Sequence, residues 1–176
     1  MSGKYEKEVF NHYNKWATSV SASVESDIDD YTGSGNGPMN RYLRGLDDGS
    51  EHIVKQAENI NKAISNAPPP PPPELVWRGG DAKGDKDFVK KLGVGGIVRL
   101  SGIQSTSVSP SFAKGWGSAD YILEIQPKSG AYVQKISSHK SEYEFLIPHD
   151  QSYKVMGITE VKLNGVKTKV LQLKML

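Results

Sequence analysis

Six consecutive prolines occupy positions 68–73. Each fixes φ and removes a backbone N–H, so the run is expected as an extended polyproline II rod that no helix or strand can cross. All regular structure must therefore form on one side of it or the other. This predicts a helical part over 1–67, a polyproline spacer over 68–73 and a β-rich core over 74–176. At 176 residues the parts are expected to share one domain, since domains of roughly 100–200 residues are the usual size.

The two sides differ in their periodicity. Residues 5–20 place Val9, Tyr13, Trp16, Ala17 and Val20 on one stripe at three- and four-residue spacing, and residues 51–65 do the same with Ile53, Ala57, Ile60 and Ile64; both predict helices. Residues 31–38 read as a loop leading into a short helix over 39–46, with Pro38 near its first turn. Beyond the prolines, segments 75–78, 96–100, 119–126, 143–147, 153–163 and 166–175 carry strand residues. Asn164-Gly165 between two apolar runs predicts a terminal hairpin. Helices first and strands afterwards predict an α+β fold.

Composition excludes several chemistries. With no cysteine there is no disulfide, thiolate metal site or cysteine nucleophile. No apolar run approaches the roughly 20 residues of a membrane-spanning helix, and residues 1–20 lack the apolar stretch of a secretory signal. Action in a cytosol, without a membrane partner, is the expectation. Residues 1–67 hold seven Lys/Arg against ten Asp/Glu, and residues 68–176 fifteen against ten. That excess suits an anionic ligand but is too scattered for nucleic acid. His12, His52, His139 and His149 show no metal-ligand spacing, so they are read as surface residues and no metal is expected. Gly93-Val94-Gly95-Gly96 lacks the features of a phosphate loop and reads as a turn.

Three features carry possible chemistry. Arg78 ends an apolar strand and precedes Gly79-Gly80; it is either a strand-end arginine before a turn or a bidentate grip on a pyrophosphate. Ser105-Thr106-Ser107 puts hydroxyls on both faces of a strand, which is either an exposed edge or the wall of a polar cleft. In Glu142-Tyr143-Glu144-Phe145-Leu146-Ile147-Pro148, strand alternation would set Glu142 and Glu144 on one face about 6.5–7 Å apart. They are either a solvated edge or a pair facing developing positive charge.

Taken in chain order, Arg78, Ser105-Thr106-Ser107 and Glu142-x-Glu144 resemble the R-S-E signature of arginine-specific mono-ADP-ribosyltransferases, the group of clostridial binary-toxin enzymes and phage-encoded transferases. Tyr31 followed by Met39-Asn40-Arg41-Tyr42-Leu43-Arg44 is similar to the family's upstream segment, and the resemblance spans roughly residues 25–160. It implies two roughly perpendicular antiparallel sheets forming an NAD cleft, with helices packed outside. It further implies that Arg78 contacts the NAD phosphates, that the Gly79 backbone holds the nicotinamide carboxamide, and that Ser105 orders the catalytic Glu144. Tyr31, Asn40, Thr106 and Ser107 join the NAD-binding set, and Phe112 or Trp116 stacks on a ring.

The chemistry such a family performs explains the two glutamates. Cleaving the nicotinamide–ribose bond of NAD develops an oxocarbenium ion, which the carboxylate of Glu144 would stabilise. An acceptor guanidinium is no nucleophile until it gives up a proton, and Glu142 would take it. The expected partners are NAD and an arginine-bearing target protein. Two alternatives stand beside this reading: an NAD glycohydrolase with water as acceptor, and a non-enzymatic module presenting the prolines to a partner on an inactive scaffold.

Overall fold

The computed structural model describes residues 2–71, 75–80, 93–109, 120–163 and 165–176, with side chains from residue 6 onward. Phe112 and Trp116, expected above to stack on a ring, lie outside the described residues.

Four helices precede the strands: α1 (Ser2–Ser19), α2 (Ala22–Asp30), α3 (Asn36–Leu43) and α4 (Glu51–Ser65). The predicted stripe of α1 is its buried face, with Val9, Tyr13 and Ala17 at most 5% exposed. Ser50 caps α4 by accepting the Ile53 N–H at 3.2 Å, while Glu51 in its first turn and Lys62 in its last oppose the helix dipole. The helix buries Gln56, Ala57, Ile60 and Ile64 and ends just before the prolines. The described prolines, 68–71, are neither helix nor strand, and the Pro69 carbonyl lies 2.8 Å from His12 Nε2 on α1.

Two features of this layer differ from expectation. Helix α2 was not foreseen, because Val24 and Ile28 are its only large apolar residues; the readable signal was Ser21, whose side chain accepts the Val24 N–H, with Glu25 in the first turn. The expected loop over 31–38 is instead a π-helical turn, Tyr31–Gly35, running straight into α3. A proline ring clashes with the carbonyl four residues back, and Pro38 stands four residues after Ser34. The π-helical turn widens the helix just before that proline.

The strands are β1 (Val76–Gly80), β2 (Ile97–Leu100), β3 (Gln104–Ser107), β4 (Tyr121–Gln126), β5 (Ala131–Tyr132), β6 (Glu144–Ile147), β7 (Gln151–Leu163) and β8 (Val166–Met175). Strands β7 and β8 form the predicted hairpin, paired from Leu163↔Val166 to Tyr153↔Met175, and Gly165 takes the positive φ of 79° that such a turn requires. Residues 93–96 form the expected turn, closed by Gly96 N–H to Gly93 O at 2.9 Å.

The α+β class stands as read. The expected pair of separate antiparallel sheets, however, is one ladder of eight strands in the order β2-β7-β8-β4-β1-β3-β6-β5. Its halves join because β1 pairs on both sides: with β4 along its whole length, and with β3 through Trp77↔Ser107 alone. The sheet is also mixed, since β4 and β8 run parallel; the long connection through β5, β6 and β7 permits such a crossover. Helix and strand residues, among them Val9, Ile28, Ile60, Ile103, Phe145 and Leu173, share one hydrophobic core. Edge-on packing of Tyr13 against Phe145, centroids 5.9 Å apart, joins the layers.

Candidate active site

Among the described residues only Trp77↔Ser107 pairs β1 with β3, so the ladder between these strands does not extend to Arg78, Gly79 and Gly80. That seam is where the sequence-predicted residues collect. Gly80 lies under the Tyr121 ring: a Cβ would stand 2.1 Å from it, so any side chain there would displace that ring. Arg78 donates from Nη1 to Gln104 Oε1. Gln104 is itself fixed, donating from Nε2 to the Ser101 and Gly102 carbonyls at 3.0 and 3.3 Å. The motif reading had not marked Gln104, although it directly precedes the hydroxyl triplet.

Strand β3 is interior, bonded to β1 and β6, so the exposed-edge reading of the triplet falls away. Its three hydroxyls have different partners. Thr106 Oγ1 donates to Phe145 O at 2.6 Å, and Ser107 Oγ to Glu142 O at 2.7 Å; both residues are 1% exposed. Ser105 alone is half-buried. The register sets Ser107 opposite Glu144 and Ser105 opposite Leu146, which makes Ser105 and Glu144 diagonal neighbours on one face of the sheet. The Ser105 hydroxyl stands near enough to the Glu144 carboxyl to favour its charged form.

Glu144 opens β6, a strand buried throughout, and is 5% exposed. Its Oε2 is buried without a hydrogen-bond partner. Burial pushes the carboxyl up to about 7; the Ser105 hydroxyl pulls the other way, and the nearby charge of Glu142 adds to the rise.

Glu142 does not sit in the strand as alternation predicted. It closes a 3₁₀ turn, Lys140–Glu142, and Tyr143 between the glutamates is left-handed at φ 50°. That conformation is unfavourable for an aromatic residue and persists where its surroundings over-determine it. Here they do: Val108 N–H donates to Tyr143 O at 3.0 Å and Ser107 holds Glu142 O. The result still brings Glu142 close enough to act on Glu144 while leaving it half-exposed.

Tyr31 and Asn40 are buried, at 0% and 9% exposure. The Tyr31 hydroxyl lies 3.1 Å from both Ser105 Oγ and Ile103 O. Gly102, at φ 81°, passes so close to Asn40 and Arg44 that a Cβ would lie 3.0 Å or less from both side chains. Its N–H donates to His149 Nδ1 at 2.7 Å, so that histidine, read as a surface residue, braces the approach to β3. Among the described residues no group of His, Asp and Glu is placed to hold a metal ion.

The family model of an ADP-ribosyltransferase exoenzyme matches residues 10–176. A comparison with curated proteins gives no match. Among solved structures the fold is similar to that of Plx2a, an ADP-ribosyltransferase toxin from Paenibacillus larvae, with a TM-score of 0.81 and 24% identity over 99% of this chain and 96% of that one. It is similar to the ADP-ribosylating toxin BECa of a C. perfringens binary enterotoxin, solved with NADH, with a TM-score of 0.77 and 20% identity over 98% of this chain and 48% of that one. The ADP-ribosyltransferase Vis, in complex with agmatine, gives a TM-score of 0.74 and 16% identity over 98% and 85% of the two chains.

Proposed function

The chain belongs to the ADP-ribosyltransferase exoenzyme family, and from that premise we infer that its cleft transfers one ADP-ribose from NAD to an arginine of a target protein, with Glu144 and Glu142 in separate roles. The observation that carries this reading is Glu144 itself. A carboxylate that is 5% exposed, with one oxygen unpartnered, is a costly thing to bury. A ribose hydroxyl would give Oε2 its missing donor, and a cation forming at the ribose C1′ would reward the charge.

The remaining residues follow from position. Arg78, held by Gln104, would meet the pyrophosphate, and the seam at Gly79 lets a carboxamide approach the backbone. As the glycosidic bond breaks, its electron pair leaves with nicotinamide, and Glu144 stabilises the C1′ cation. A guanidine nitrogen then attacks C1′ and gives its proton to Glu142, which is half-exposed and so within reach of a protein acceptor. Thr106 and Ser107 shape the glutamate segment from behind. The agmatine bound to Vis is a guanidine compound, which favours arginine as the acceptor here.

Nicotinamide release and transfer of labelled ADP-ribose, measured with and without agmatine, test the assignment. Both are expected, with release faster when agmatine is present. Release unaltered by agmatine, with no labelled adduct, would point to the glycohydrolase instead.

A further inference from the structure

The segment that carries Glu142 is fastened at both ends to its neighbours in the sheet. Where it begins, Val133 N–H donates to Glu144 O at 3.0 Å; where it ends, Ser107 Oγ donates to Glu142 O at 2.7 Å. Between these points Ser138 and His139 rest on the π-helical turn Tyr31–Gly35, with Ser138 lying 106 residues after Thr32.

Every proton in that contact has one owner. Asp29 O and Thr32 O are carbonyls and can only accept. Thr32 Oγ1 therefore gives its single proton to Asp29 O at 3.0 Å. Its lone pairs face Ser138, whose N–H donates at 3.0 Å and whose Oγ lies at 3.2 Å. His139 Nδ1 is 3.1 Å from Thr32 O and so carries a proton. Ser138 Oγ, 3.1 Å from that nitrogen, faces a donor and sends its own proton on to Thr32 Oγ1 or to Asp29 O. Thr32 is 6% exposed, and its hydroxyl spends its whole capacity here, one bond given and two received.

From His139 the contact leads straight to Glu142. The His139 carbonyl accepts the Glu142 N–H at 3.1 Å, within the 3₁₀ turn Lys140–Glu142. His139 is thus held by its ring to the π-helical turn and by its backbone to the glutamate. Although exposed, as expected of it from sequence, it is not a free side chain.

We propose that Thr32 and His139 form a clip that sets the place of Glu142, and that they are positioning residues for deprotonation of the acceptor but not for cleavage of NAD. The proposal rests on Glu142 being the base of the transfer step. The two glutamates differ in what holds them. Glu144 lies in β6, in register with Ser107 of β3, and keeps that ladder whether or not the clip is closed. Glu142 lies outside the strands, and its backbone is held by His139 at the N–H and by Ser107 at the carbonyl. A base acts only within hydrogen-bond reach of the proton it takes, so a small displacement of its turn is costly.

Four variants test the clip. Thr32→Val keeps the branched shape and removes the hydroxyl, and Thr32→Ser returns it; His139→Ala opens the other arm, and His139→Asn offers an amide donor in place of Nδ1–H. Thr32→Val and His139→Ala are each expected to lower transfer to agmatine about three- to tenfold, with NAD hydrolysis and the KM for NAD within about twofold of wild type. The serine and asparagine variants should recover most of the loss. On a Glu142→Gln background, Thr32→Val should cost nothing further. Hydrogen exchange of the Glu142 amide should quicken about tenfold in both opened variants, while that of Val133 stays within about twofold. Equal loss of transfer and hydrolysis, unaltered transfer, a full further loss on the Glu142→Gln background, or unaltered exchange at Glu142 each overturns the clip. Should Thr32→Val fail to fold, His139→Ala at its exposed position carries the same measurements. Exchange needs no turnover: a chain that transfers nothing defeats the reading of Glu142 as a base, and the Glu142 amide still reports whether the clip holds it.

Discussion

The sheet has two halves of different character. On one side β7 and β8 form a long ladder, with 13 and 10 residues, and it buries, with β4, the apolar Leu171, Leu173, Val155 and Ile125, each at most 2% exposed. On the other side β3, β5 and β6 have four, two and four residues. Their buried positions include Gln104, Thr106, Ser107 and Glu144. Both halves remove apolar area from water, the second through Ala131, Tyr132, Phe145, Leu146 and Ile147; only the second adds oriented hydrogen bonds around a carboxylate that would be better solvated elsewhere. The polar machinery is thus confined to one side of the sheet, and the seam at Trp77↔Ser107 is where the two sides meet.

The sharpest test of that division is Glu144→Gln. On the reading above, nicotinamide release should fall at least about a thousandfold. The same variant should be more stable than the wild type at alkaline pH. The folded carboxyl titrates near 7 and the unfolded one near 4.5, so between those values the folded state binds more protons and stability falls as pH rises. The glutamine variant escapes that loss. Its advantage should be absent below about pH 4.5, grow through pH 7 and level off at up to about 3 kcal/mol, read from urea midpoints at several pH values. An advantage independent of pH would mean that burial of the charge is not its origin.

Leu173→Ala, in the ladder half, should do the reverse: a stability loss of about 3 kcal/mol with the KM for NAD unchanged in the surviving folded protein. A large change in KM would show that the halves are not separable. Glu142→Gln divides the cleft half itself. Transfer to agmatine is expected to drop about ten- to a hundredfold while hydrolysis of NAD stays within about twofold, and equal losses would remove the separate role of Glu142. Smaller still is Ser107→Ala. Releasing Glu142 O should reduce transfer about three- to fivefold, and Ser107→Thr should restore most of it.

Much of this was legible in the sequence, and for local reasons. Asn164-Gly165 specified the hairpin through its turn chemistry, the stripes of α1 and α4 through their periodicity, and the order of Arg78, Ser105 and Glu144 through family resemblance. What was not legible depends on contacts between distant segments. Nothing local says that β8 returns beside β4 in parallel, or that Thr106 and Ser107 turn their hydroxyls onto the backbone of the glutamate segment. Glu142 looked like a strand residue because Tyr143 is a good strand former, and only the bonds from Ser107 and Val108 hold Tyr143 left-handed. Asn40 and Tyr31 were named through the resemblance, but their hydrogen bonds to each other and to Ile103 O join segments far apart in the chain and could not be read locally.

The π-helical turn has a consequence in helical phase. Residues of an unbroken α-helix advance about 100° each, so two side chains nine positions apart would point in opposite directions. Tyr31 and Asn40 are nine apart and yet touch at 3.1 Å. The widened turn between them, Tyr31–Gly35, is therefore a timing device, a local delay that lets the second side chain come round to meet the first. Deleting one residue from it would leave an unbroken α-helix with the pair eight apart, about 80° apart by the same step, so the widened turn absorbs one extra residue without losing the contact.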